Sequence, residues 1–108
     1  MNTETIWSFR TYRFRIALEV FPEHDIDLSW DEDGSIRDRL ERGLLVAFQT
    51  KVAVYLDGRE VGADYLGACI YESAEQFREE GDYFRDMVRV AIREARRNMN
   101  NVPRLRAA

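Results

Sequence analysis

From Tyr12 to Val20 apolar and polar positions alternate. Tyr12, Phe14, Ile16, Leu18 and Val20 share one parity; Arg13, Arg15, Ala17 and Glu19 share the other. A period of two marks a strand with one buried face. Pro22 has no N–H to give a ladder and predicts the strand's end. A second run, Leu44 to Leu56, puts Leu44, Val46, Phe48, Val52, Val54 and Leu56 on one parity, broken only by Thr50. Asp57-Gly58 follows, a pair suited to a two-residue hairpin turn in which both residues take positive φ. A third strand is therefore expected from Arg59 to about Tyr71. Gly67 lies where apolar residues fall on both parities, which predicts a bulge or bend.

Helical spacing replaces strand spacing in three places. Ile36 and Leu40 are four apart behind Ser35, a cap residue, and Gly43 is a stop, so a two-turn helix is expected over 36–42. Ser73 and Gln76 form a capping-box pattern ahead of a short helix over 74–80 that ends at Gly81. Asp82 then caps a longer helix from Tyr83 to about Asn98. Residues 1–9 and 100–108 are expected to fray. Between the first strand and the first helix, EHDIDLSWDEDG is acidic and turn-rich, and the alternation of Ile26, Leu28 and Trp30 allows a short edge strand. The sum is one α+β domain over residues 1–108. An antiparallel sheet of three or four strands carries a short helix between strands and a C-terminal helix packed on one face, in the order β–(short α)–β–β–α–α.

Composition adds boundaries. A chain of 108 residues, 45% apolar and 33% charged, is long enough for one real core without a metal or a disulfide. One cysteine, Cys69, has no partner for an internal bridge, and no segment approaches the length of a membrane span. The N-terminus has no apolar run of signal-peptide length. A cytoplasmic protein with no membrane contact is expected.

The net charge of −4 hides a separation. From Glu19 to Glu41 there are nine acids against two arginines; from Arg85 to Ala108 there are seven arginines against two acids. Opposite fields at two ends of a domain steer partners without setting its fold. On the long helix Phe84, Val88, Ala91, Ile92, Ala95 and Met99 fall within an arc of roughly 100° and are expected to cover the sheet. Arg85, Arg89, Arg93 and Arg97, with Arg96, form a basic edge. Like charges four apart repel mildly, so the band reads either as a solvated face or as a surface for an acidic partner. Tyr83, Met87 and Val90 form another edge, read as extra core or as a contact with a partner. The acids Glu23, Asp25, Asp27, Asp31, Glu32 and Asp33 read either as a solvated loop or as an imitation of a phosphate run.

Other chemistry is thin. Asp31-x-Asp33-Gly34 resembles part of a calcium loop, but aligning the glycine puts Ser29 first and Leu40 last, where carboxylates are needed. His24 has no evident triad partner, and Cys69 sits in an apolar run where an inert thiol is expected. Arg13, Arg15 and Lys51 offer a small basic patch on the sheet, but Tyr12 and Phe14 belong to the core parity and the chain is acidic, so direct nucleic-acid binding is not expected. No catalytic residue, metal or cofactor is expected.

LGACIYESAEQF followed by YFRDMVRVAIREAR resembles sequences of small proteins from bacteriophages and mobile elements, and the chain is similar in style to small anti-CRISPR proteins. That resemblance implies a stoichiometric inhibitor that blocks a host complex by occupying its surface. The expected partner is then a host protein or protein–nucleic-acid complex. The competing expectation is a homodimeric structural or regulatory module in which the basic helix edge meets the acidic loop of its twin.

Overall fold

The computed structural model describes the backbone of residues 3–107 and the side chains of residues 3–100. Four antiparallel strands lie in chain order: β1 (Glu4–Arg10), β2 (Phe14–Pro22), β3 (Val46–Leu56) and β4 (Arg59–Tyr71). The short helix α1 (Ser35–Glu41) falls between β2 and β3. Helices α2 (Ala74–Glu80) and α3 (Asp82–Ala107) follow the sheet, and α3 packs across β4 and β3. The fold is α+β, with the order β–β–α–β–β–α–α.

The fourth strand comes from the N-terminus. Residues 4–10 are not a frayed lead-in: they pair with β2 from Glu4 opposite Val20 to Arg10 opposite Arg15. The register slips between Thr5 and Trp7, so Ile6 and Trp7 both pack toward the core. At the other end α3 continues past its expected end near Asn98 and through Pro103 to Ala107; Met1, Asn2 and Ala108 lie outside the described residues. Ile26, Leu28 and Trp30 do not form a strand.

The hairpin forms as expected, with Asp57 at φ 51° and Gly58 at φ 83°, both in the left-handed region that a type I′ turn requires. On β4 the register slips between Leu66 and Cys69, which places the bulge at Gly67 and Ala68. Ser73 caps α2: its hydroxyl accepts the Gln76 N–H at 3.1 Å, while the Gln76 amide accepts the Glu72 N–H at 2.7 Å.

Leu18, Val20, Phe48, Val52, Val54, Cys69 and Phe77 form the core with Met87, Ala91 and Ala95 of α3. Burying one large apolar side chain is worth roughly 1.5–3 kcal/mol, so this cluster dominates stability. Gly62 sets the seat of the helix. A Cβ there would lie 2.5 Å from the Ala91 carbonyl oxygen and 2.6 Å from the Ala95 nitrogen, both backbone atoms. Only a glycine lets α3 come down this far onto β4. Asn98 donates to the Val61 carbonyl at 2.7 Å, and Glu94 accepts the Ala63 N–H at 3.3 Å, which anchors the same stretch.

Candidate functional site

The chain from Glu23 to Leu45 leaves the sheet after β2 and rejoins it at β3. Its carboxylates hold its shape. Asp27 accepts the Ser29 N–H at 2.9 Å and Asp33 accepts the Ser35 N–H at 2.9 Å. Each of these backbone donors keeps its carboxyl below the ordinary range. Asp31 takes the N–H groups of Ile36 and Arg37, at 3.3 and 3.0 Å, and so caps α1 in place of Ser35. Glu23 crosses to the sheet and accepts the Ala68 N–H at 2.8 Å. Of the six acids expected as a phosphate-like run, four are thus engaged with backbone. Asp25 and Glu32 are exposed.

Where this excursion leans back over the end of the sheet it roofs a cleft of about 1120 Å³. Val20, Phe21 and Phe48 line it from the sheet; Ile26, Leu28 and Leu40 line it from the excursion. Its mouth carries Glu4, Glu23, Glu41, Glu72 and Glu75 against one arginine, Arg37, with His24 alongside. Glu23 is the one member of the expected acidic run that lines it. Glu41, Glu72 and Glu75 were not singled out in the sequence, because three separate segments converge to make the cleft. An apolar interior with a carboxylate rim suits a ligand that is both apolar and cationic.

The arginine band is exposed but twists. Four residues advance a helix by about 400°, so each step from Arg85 to Arg89, Arg93 and Arg97 drifts roughly 40° around the axis. Arg89, Arg93 and Arg96 share a hollow with Ile92. Arg85 pairs with Asp82 at 3.1 Å. The expected Tyr83–Met87–Val90 edge is not one surface. Met87 is 3% exposed and in the core, where the Thr50 hydroxyl points to its sulfur at 3.6 Å. Tyr83 is 61% exposed and Val90 half-buried.

The face of the sheet away from α3 is closed by polar side chains. Ala17, Ala53 and Ala63 form its central row and are buried, though no helix covers them. Long neighbours fold over them. Arg15 stacks on the Tyr55 ring, the Tyr55 hydroxyl donates to Glu19 at 2.6 Å, and Lys51 pairs with Glu60 beside the Tyr65 ring. Burial, then the bond to Glu19, pushes the Tyr55 hydroxyl up to about 12. Arg13 pairs with Asp57 at the hairpin. All three cations of the expected basic patch are therefore engaged with other side chains.

Cys69 is buried, and burial raises its thiol above the ordinary value, which suits an inert core residue. Among the described residues no cluster of three metal-ligating side chains occurs, and no helix is long and apolar enough to cross a membrane. Compared with protein-family models, curated proteins and solved structures, the chain matches none of them.

Proposed function

We propose that the chain is a non-enzymatic protein-binding module that acts by covering a surface of its partner, and that its cleft takes an apolar, basic segment of that partner. The cleft carries this reading: its volume is about 1120 Å³, and its lining combines apolar side chains with five glutamates against one arginine. Proteins that handle nucleic acid present lysines and arginines wherever they hold phosphate. A module with this cleft competes with nucleic acid for such segments. This fits an inhibitor of a host defence or nucleic-acid-handling complex, the form of the reading that the phage-like sequence resemblance implies.

The test is capture from a bacterial lysate with three baits: the wild type, a Glu41→Lys/Glu72→Lys/Glu75→Lys variant, and an Asp25→Lys/Glu32→Lys variant. The first and third are expected to retain the same basic protein, released by about 0.5 M salt. The second is expected to lose it. If the cleft-rim variant keeps its partner and the loop variant loses it, binding lies on the outer acids and not in the cleft.

A further inference from the structure

On the helix side, the sheet is covered over only half its width. One row of paired residues crosses it: Phe9, Ile16, Val54, Gly62. Gly62 lies under α3 and Val54 is buried; Ile16 is half-buried, and Phe9 is 53% exposed. Exposure therefore rises with distance from the helix. β1 and α3 run the same way along this side, tied at their lower ends by an edge-to-face contact of Trp7 on Phe84, with ring centroids 5.1 Å apart. Above that contact lies an apolar strip, floored by Phe9 and Ile16 and walled by the half-buried Val88 and Ile92. On the solvent side of Ile92, Arg89, Arg93 and Arg96 line with it a hollow of about 320 Å³ on α3 itself.

The same chain carries the complement. Trp30 is 58% exposed and is followed directly by Asp31, Glu32 and Asp33. It is held in place before any partner arrives. Its indole N–H donates to the Asp27 carbonyl at 2.9 Å, and the Asp31 N–H closes the turn onto the Leu28 carbonyl at 2.9 Å. A fixed aromatic in an acidic turn complements an apolar strip with arginines beyond its helix edge in charge. The two do not satisfy each other within one chain, since Trp30 and Phe9 both remain largely in solvent.

We infer that the strip between β1 and α3 is a self-association site that takes the Trp30 turn of a second copy. The exchange is reciprocated about a two-fold axis, so each copy gives one turn and accepts one. Two contacts of the same kind then form in a single closed pair, where a one-way contact would leave an open chain of copies. The interface uses neither the interior of the cleft nor its glutamate rim, so it stands independently of what the cleft binds.

Sedimentation equilibrium on the full chain tests this, at concentrations up to about 100 µM and at two salt levels. The wild type is expected to be a dimer at low salt and to loosen at high salt. Trp30→Ala and Arg89→Glu/Arg93→Glu should each weaken the dimer by roughly thirtyfold or more, the loss expected of a central aromatic or a desolvated charged rim. Both changes lie on exposed side chains, and circular dichroism checks that each variant folds. A wild type that stays monomeric at low salt overturns the inference. So does a Trp30→Ala variant that dimerises like wild type, or a mass that keeps climbing with concentration.

Discussion

The body of the molecule and its acidic excursion are held by different forces. In the sheet with α3, residues far apart in sequence bury apolar surface together; Leu18, Val52, Phe77 and Ala91 come from four different elements. In the excursion, α1 has no buried residue, and Leu45 is its one member of the buried set. Its order comes from carboxylates accepting nearby N–H groups, two to six residues away. Such bonds cost little sequence separation to form, and each contributes about 1 kcal/mol. The body sets global stability. The excursion is a preorganised attachment that presents charge while adding only Leu45 to the buried set.

The strongest test of that division is Gly62→Val. The added side chain meets two backbone atoms of α3, and backbone cannot rotate aside. Lifting the helix off β4 is expected to cost about 4 kcal/mol or more, beyond ordinary overpacking. Urea unfolding should show the loss across both the sheet and α3, since one cooperative unit contains them. Asp31→Ala acts on the other side of the comparison. Removing the cap of α1 is expected to cost that helix about 1 kcal/mol. Hydrogen exchange over 35–41 should speed up severalfold while the urea midpoint stays in place. An equal fall in global stability would join the excursion to the core after all.

The smallest effect concerns acid. Asp27 and Asp33 have folded pKa values below the ordinary aspartate value, chiefly through backbone N–H donors on Ser29 and Ser35. Their contribution to the excursion is fully present above the unfolded value, near pH 4, and is lost as pH falls through the lower folded values. The amide protons of Ser29 and Ser35 should shift with midpoints below the usual aspartate range in an NMR titration, before the amides of β3 respond. Midpoints at the ordinary value would mean that these two turns do not hold in solution.

How much was legible follows the same division. β2, the β3–β4 hairpin and α2 are local patterns, and the period of two, Asp57-Gly58 and Ser73-x-x-Gln76 reported them. β1 escaped because its bulge breaks the period, turning Ile6 and Trp7 to one side. Ile26, Leu28 and Trp30 alternate without forming a strand because Asx turns set their spacing, not a partner strand. On α3 the bulky Val88 and Ile92 drew the expected face around the helix. The true seat lies on Met87, Ala91 and Ala95, where small residues meet Gly62. That close approach belongs to two elements at once and has no signature in either alone. The cleft is less legible still, since β1, the excursion and the start of α2 are joined only by the fold.

Helix α3 gives the molecule its outline, with extents of 61 × 27 × 24 Å. Its Cα radius of gyration is 16.8 Å, against about 13 Å for a round domain of this length. Such a rod drags more water than its mass suggests. A single copy should leave a sizing column early, at the place of a rounder protein well above its 12.7 kDa, and should tumble slowly about its short axes. Elution volume alone therefore counts one chain as two; scattered light or equilibrium sedimentation, which weigh the particle whatever its shape, tell the two apart.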